Sequence, residues 1–215
     1  QEFNPDVLKD NSLTLIAPYI GGSISVFKCP ADMRTGLYQG SDPALTNQII
    51  GATRTYAMNQ AVGTICPGYD QTHSSHSGAP TLSPNGVWLD YPQTQTRDSP
   101  WFTYGKTSDH PGAPGPAQLW LLVEEDPASV NDASFAFAMS RPTWIDRPGT
   151  AHVMACSFAF ADSHAELHKW LGADTKAVGN NFQRGQKIAA PYSDWLWMRQ
   201  RTSANRSGTL PPPPP

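Results

Sequence analysis

Acidic residues and a histidine cluster around two apolar runs in the second half of the chain. Glu124 and Glu125 close the run Ala117–Val123, Asn131, Asp132 and Asp146 follow, and His152 opens the next apolar run. If the first run lies antiparallel to the second, Glu125, Asp132, Asp146 and His152 meet at one rim of a sheet. Carboxylates beside an imidazole there could serve as general acids and bases, with Glu124 and Asp162 as alternatives. Alternation along a strand sends Glu124 and Glu125 to opposite faces, so only one of them joins such a group. The same rim offers a cation site built from Glu125, Asn131, Asp132 and His152. Calcium suits the carboxylates with the Asn131 oxygen, and zinc suits His152 with two acids. A salt-linked rim that orders residues 126–151 uses the same groups without an ion. Asp162, by contrast, lies ten positions after His152. That is about 33 Å along a straight strand, too far to share a ligand.

A second set alternates after the turn. Asp162, His164, Glu166 and His168 fall on one face of a return strand, as either another metal set or a solvated sheet face. No Gly-x-Ser-x-Gly, glycine-rich phosphate loop or His-Glu-x-x-His is present, which argues against serine hydrolases, nucleotide enzymes and the common metalloproteases. The aromatic residues suggest another chemistry. Trp88, Tyr91, Trp101 and Tyr104 are flat platforms on which a sugar ring can stack, and beside the rim acids they are consistent with a glycoside hydrolase or a glycan-binding module. Trp120 and Trp170 read as core.

These groups must be positioned by a few short elements. Residues 6–20 predict a short helix capped by Ser12 and stopped at Gly21-Gly22, and Ile24–Cys29 and Arg54–Asn59 predict short strands. Residues 66–116 are rich in Pro, Gly and aromatics, and read as an ordered, loop-rich insertion. Ala117–Glu125 and His152–Ala161 predict buried strands. Asp162-Ser163-His164 is a turn by composition, and Ala165–Trp170 is the returning strand of a hairpin. Ser193–Arg201 predicts an amphipathic helix capped by Ser193 or Asp194. Residues 211–215 are five prolines, a tail that packs no core.

Composition narrows the class. The chain has 215 residues with 21 Pro, 17 Gly and 39% hydrophobic residues, which disfavours a helix bundle and suits a loop-rich globular chain. Fifteen Lys and Arg against 18 Asp and Glu give a net charge of −3 with no basic run, which argues against nucleic acid as a partner. No stretch approaches the length and apolarity of a membrane span, so no membrane partner is expected of this chain. Of three cysteines, Cys29 and Cys66 could form a disulfide, with Cys156 left within a buried strand.

Five stretches in order carry a resemblance: Phe27-Lys-Cys-Pro-Ala-Asp32, Arg54-Thr-Tyr-Ala-Met-Asn59, Glu125-Asp-Pro-Ala-Ser-Val-Asn-Asp132, His152 with nine residues before Asp162-Ser163, and Asp194-Trp-Leu-Trp-Met-Arg199. Over roughly residues 13–202 the chain resembles type IV pilin-like and pseudopilin-like proteins of the prepilin type whose C-terminal motif is His, nine residues, Asp-Gly. Ser163 stands where that motif has glycine, which sets it against the left-handed conformation a glycine would take. The family's N-terminal hydrophobic helix has no counterpart in this sequence. The resemblance implies an α+β fold in which a truncated N-terminal helix packs on an antiparallel sheet. It implies one pilin-like domain over residues 1–210 and a subunit of a filament or secretion apparatus, extracellular, at the cell surface or periplasmic. Its expected partners are other pilin-like subunits, with a glycan in the alternative reading. The match favours Glu125 over Glu124 at the rim and implies no reaction.

Overall fold

Local hydrogen bonding stops the first helix early. In the computed structural model, which describes residues 2–14, 16–63, 89, 101–109, 112–177, 182–205 and 209, helix α1 spans only Pro5–Lys9. The Asn4 side chain caps it by accepting from the Asp6 amide. Ser12 is not the expected cap: its N–H and O–H both donate to Asp10 Oδ1, at 2.8 and 2.6 Å, forming a turn. Ile24–Phe27 is a 3-10 turn rather than a strand, because the Lys28 N–H closes locally on the Ser25 carbonyl. Most of the loop-rich segment and the proline tail lie outside the described residues.

Two compact units divide what the sequence reads as one domain, residues 1–56 and 57–215. In the first, β1 (Thr35–Leu37) and β2 (Ile49–Gly51) form an antiparallel pair with Leu37 opposite Ile49. Polar contacts bind this unit. The Arg34 guanidinium reaches Asp32 at 2.7 Å and Glu2 at 3.0 Å, and the Thr55 hydroxyl donates to Asp32 at 2.7 Å. Asp6 accepts from the Tyr38 hydroxyl at 2.7 Å and the Ser41 amide at 2.8 Å.

The second unit is built on a sheet and an aromatic core. Its strands are β3 (Tyr56–Asn59, beginning at the boundary), β4 (Trp120–Glu124), β5 (Ser134–Phe135), β7 (Ala155–Phe160) and β8 (Ala165–Lys169), in the order β5-β3-β4-β7-β8. β4 pairs antiparallel with β7, and β7 with β8, as the sequence predicts. β3 pairs in parallel with β5, so the sheet is mixed rather than wholly antiparallel. A smaller antiparallel pair joins β6 (Thr143–Trp144) to β9 (Gln186–Lys187). With α2 (Ala173–Lys176) and α3 (Ser193–Thr202), the fold class is α+β.

Periodicity explains the packing. In β7, Cys156, Phe158 and Phe160 are buried while Ser157 and Ala159 between them are half-buried, the period of two of a strand. In α3, Trp195, Met198 and Thr202 are buried at helical spacing. Phe158 meets Trp120, Trp170 and Trp197 edge to face, with centroids 5.0–6.1 Å apart. Three of the buried indoles find acceptors: Trp195 on the Ala138 carbonyl, Trp170 on that of Gly149, and Trp120 on the Thr202 hydroxyl. Tyr192, not Ser193 or Asp194, stands at the α3 N-cap, in a left-handed conformation. The Asp194 carboxylate instead holds the Leu171 and Gly172 amides at 2.9 and 2.8 Å.

Candidate functional site

The rim forms because β4 and β7 run antiparallel in the register that sets Val123 against Phe158. β4 therefore ends beside the chain that enters β7. His152 lies in the turn before β7 rather than within the strand. The next two residues, Val153 at φ 56° and Met154 at φ 61°, are left-handed, a conformation costly for a β-branched side chain. This bend turns His152 back onto β4, where its Nε2 meets Glu124 Oε2 at 3.1 Å. The carboxylate is 2% exposed and the imidazole 32%. Ser157 donates to the same oxygen at 3.4 Å. The Gly149 amide holds the Glu124 carbonyl at 2.7 Å, with its Cα so close that a Cβ would lie 2.9 Å from Glu124 Cγ. Cys156 Sγ donates to that carbonyl at 3.2 Å. The partner of His152 is thus Glu124, the alternative, and not the Glu125 that the resemblance favours.

Glu125 is fully buried on the other side of the strand. The Ser129 hydroxyl donates to Glu125 Oε1 at 3.1 Å and accepts from the Arg147 amide at 3.1 Å. Asp146 sits in a further pocket of polarity, accepting from the Ala136 amide at 2.7 Å and from Arg184 at 3.1 Å. Burial pushes its carboxyl up to about 7, and the negative charge of Asp132 adds to this, against the pull of the Ala136 amide and Arg184. Asp132 is exposed and accepts from the Ser134 amide at 2.8 Å, while Asn131 accepts from the Asp132 amide at 2.6 Å.

The expected single cluster of Glu125, Asp132, Asp146 and His152 is therefore three separate arrangements: His152 with Glu124, Glu125 with Ser129, and Asp146 with Arg184 near Asp132. Among the described residues, ligand atoms of Glu125, Asp132 and His152 do not come within 4.8 Å of one another as a metal set. Alternation separates neighbours that the sequence places side by side.

Asp162 lies at the far end of β7, outside the rim as expected. Its carboxylate is 2.5 Å from His164 Nδ1 and accepts the His164 amide at 3.2 Å, which holds its pKa below the ordinary aspartate value. Between them Ser163 adopts φ 76°, the left-handed conformation against which its side chain argued. The His164 ring stacks on Phe160. His168 stacks on Trp197 with centroids 3.7 Å apart, and burial lowers its pKa. The alternating set Asp162, His164, Glu166 and His168 forms no metal group among the described residues.

Of the aromatic platforms, Trp88 and Tyr91 lie outside the described residues. Cys66 does too, and with it the expected Cys29–Cys66 pairing. Trp101 and Tyr104 are 5% and 4% exposed, and so are core side chains rather than open platforms. Tyr104 borders a cavity of about 260 Å³ with Leu119, Leu121 and Lys106, and burial pushes its phenol up to about 12. A second cavity of about 110 Å³ lies by Gly172 and Asp194. Neither is lined by Glu124, Glu125, Asp132, Asp146 or Asp162. Sequence reasoning missed the pairing of Arg184 with Asp146 and the role of Asp194 in tying Leu171 and Gly172, which follow β8, to α3. The acidic residue in the first turn of a predicted helix was the available signal for Asp194. No family model, curated protein or solved structure matches this chain.

Proposed function

We propose that this chain is the globular part of a pilin-like or pseudopilin-like subunit of a filament or secretion apparatus, working at the cell surface or in the periplasm. The observation that carries this reading is the Asp162-Ser163 turn. Ser163 takes the left-handed conformation at the position where the resembled motif has glycine, one strand-length from the His152 of the same motif. Backbone geometry is what a glycine serves, so the turn supports the resemblance where the residue type departs from it. The acids support a scaffold too. Glu124, Glu125, Asp146 and Asp194 each take internal hydrogen bonds or ion pairs, and the rim acids line neither cavity described above. A glycosidase built on the rim acids needs two of them facing one substrate space, and they line neither cavity, so the glycan-active alternative draws less from this geometry.

The test is to express the complete reading frame in a host with a type IV pilus or type II secretion assembly system and to blot the sheared surface fraction. Processing by the prepilin peptidase with recovery in that fraction is expected. An unprocessed product confined to the soluble fraction, or turnover of a chromogenic glycoside lost in Glu125→Gln, overturns the reading.

A further inference from the structure

Strand β8 ends the sheet, and its outer edge is bare. β7 lies on one side of it and no strand on the other. Two hydrogen bonds bracket the strand, from the Phe160 N–H to the His164 carbonyl and from the Trp170 N–H to the Met154 carbonyl, both 2.9 Å. By alternation, Glu166 and His168 between them turn their backbone groups to β7. The N–H and C=O groups of Ala165, Leu167 and Lys169 therefore point away from the sheet. Among the described residues no hydrogen bond meets them, whereas the next outward amide, that of Leu171, is taken by the Asp194 carboxylate at 2.9 Å. Ala165, Glu166, Leu167 and Lys169 are exposed, Leu167 at 58%. An edge of this kind is a template for another strand.

We propose that β8 pairs antiparallel with β8 of a second copy of this chain, about a two-fold axis at Leu167. In that register the strand is its own complement. Ala165 lies opposite the partner's Lys169 and Leu167 opposite the partner's Leu167, so every outward N–H meets an outward C=O. Glu166 lies opposite the partner's His168, a carboxylate against an imidazole. Moving the axis to Glu166 sets two carboxylates side by side and aims Lys169 at Ser163, whose amide already bonds the Phe160 carbonyl. Moving it to His168 aims Ala165 at the occupied Leu171 amide. Only the axis at Leu167 uses the full edge. On the outer face, a row of Leu122, Ala159 and Ala165 runs out to the same edge, beside Leu167. A foreign strand matches the backbone alone, whereas a second copy matches the side chains as well. Such a two-fold contact closes on itself and builds no fibre. The proposal goes beyond the filament reading and stands without it, since it uses only the sheet edge.

One short strand per copy makes a small interface, so the dimer is weak, and sedimentation equilibrium between about 10 µM and about 1 mM should give a Kd on the order of 100 µM. Amide hydrogen exchange over the same range locates the contact: the Leu167 amide slows as concentration rises, while the Glu166 and His168 amides, already bonded to β7, do not change. Leu167→Pro removes the central donor at a position whose N–H faces outward, which an edge strand tolerates, so the dilute chain stays folded and self-association is lost. Ala165→Glu sets a carboxylate opposite the partner's Lys169 and tightens the dimer about fivefold, and adding Lys169→Ala cancels the gain. A chain that is still monomeric at the highest concentration overturns the proposal and leaves the edge to a foreign strand. So does a dimer equally tight in Leu167→Pro, or one that Ala165→Glu leaves unchanged or weakens. A dimer whose formation does not slow the Leu167 amide overturns it as well, and this readout on the natural chain decides the matter if Leu167→Pro unfolds.

Discussion

Strand β7 carries a histidine–carboxylate pair at each end, and the two pairs differ in everything but composition. At the entry, His152 meets a Glu124 carboxylate that is almost sealed from water, and two left-handed residues bend the chain to bring them together. At the exit, Asp162 and His164 are 36% and 40% exposed and lie two residues apart in one turn. A buried carboxylate left without its partner is strongly destabilising, whereas an exposed ion pair contributes little. Spacing in the sequence makes these ends look like halves of one motif. Burial makes the first a structural lock and the second a turn.

The largest test of this contrast lies beside the entry rim, at Asp146. The folded protein holds its proton up to about pH 7, while the unfolded chain releases it near the ordinary value of 3.8. The folded state therefore binds more protons between about pH 4 and pH 7, and stability falls as pH rises through that window. Asp146→Asn keeps an acceptor for the Ala136 amide and removes the titration. The stability of the natural chain relative to this variant should drop by an amount on the order of 4 kcal/mol from pH 4 to pH 7. Urea denaturation at stepped pH measures this, and parallel curves for the two proteins would remove the raised carboxyl.

His152→Ala comes next. It leaves Glu124 buried with Ser157 as a weaker partner and should cost about 3 kcal/mol at neutral pH, read from denaturant midpoints. A loss no larger than that of a surface substitution would erase the distinction between the two ends. Backbone strain gives a smaller effect of opposite sign. Val153→Gly and Ser163→Gly should each raise stability by about 1 kcal/mol, because glycine takes φ near 56° and 76° without a Cβ clash. The smallest effect belongs to Asp162→Asn, a slight fall in thermal midpoint that disappears in high salt, as expected of exposed charges.

How much of this was legible in the sequence depends on whether a residue's role is local. The apolar run to Val123, the alternation of Cys156, Phe158 and Phe160, and the helical spacing of Trp195, Met198 and Thr202 were each readable because one element fixes its own buried face. The antiparallel order of β4 and β7, and hence the meeting of the Glu124 end with His152, followed from the same runs. The choice between Glu124 and Glu125 was not legible, since a bulge between Trp120 and Leu122 resets which residues face the core. β1, β2, β5 and β6 escaped notice because each has only two or three residues, shorter than any periodicity can mark. Ser163 was not legible from its residue type, since a serine argues against the left-handed φ of 76° that it adopts.

The place of β3 in the sheet sets an order in time. β7 and β8 are joined by a turn of a few residues, but β3 reaches its neighbour β4 only across the chain from Asn59 to Trp120, and its Asn59 side chain bonds both the Trp120 and Thr202 carbonyls at 2.9 and 3.0 Å. Closing long loops is entropically slower than closing a hairpin, so the C-terminal hairpin should form first and β3 should slot between β4 and β5 last. In stopped-flow chevrons, Asn59→Ala should then mainly quicken unfolding, and Ser163→Gly should mainly quicken refolding. The strand nearest the start of the second unit would be the last one the sheet acquires and the first it gives up.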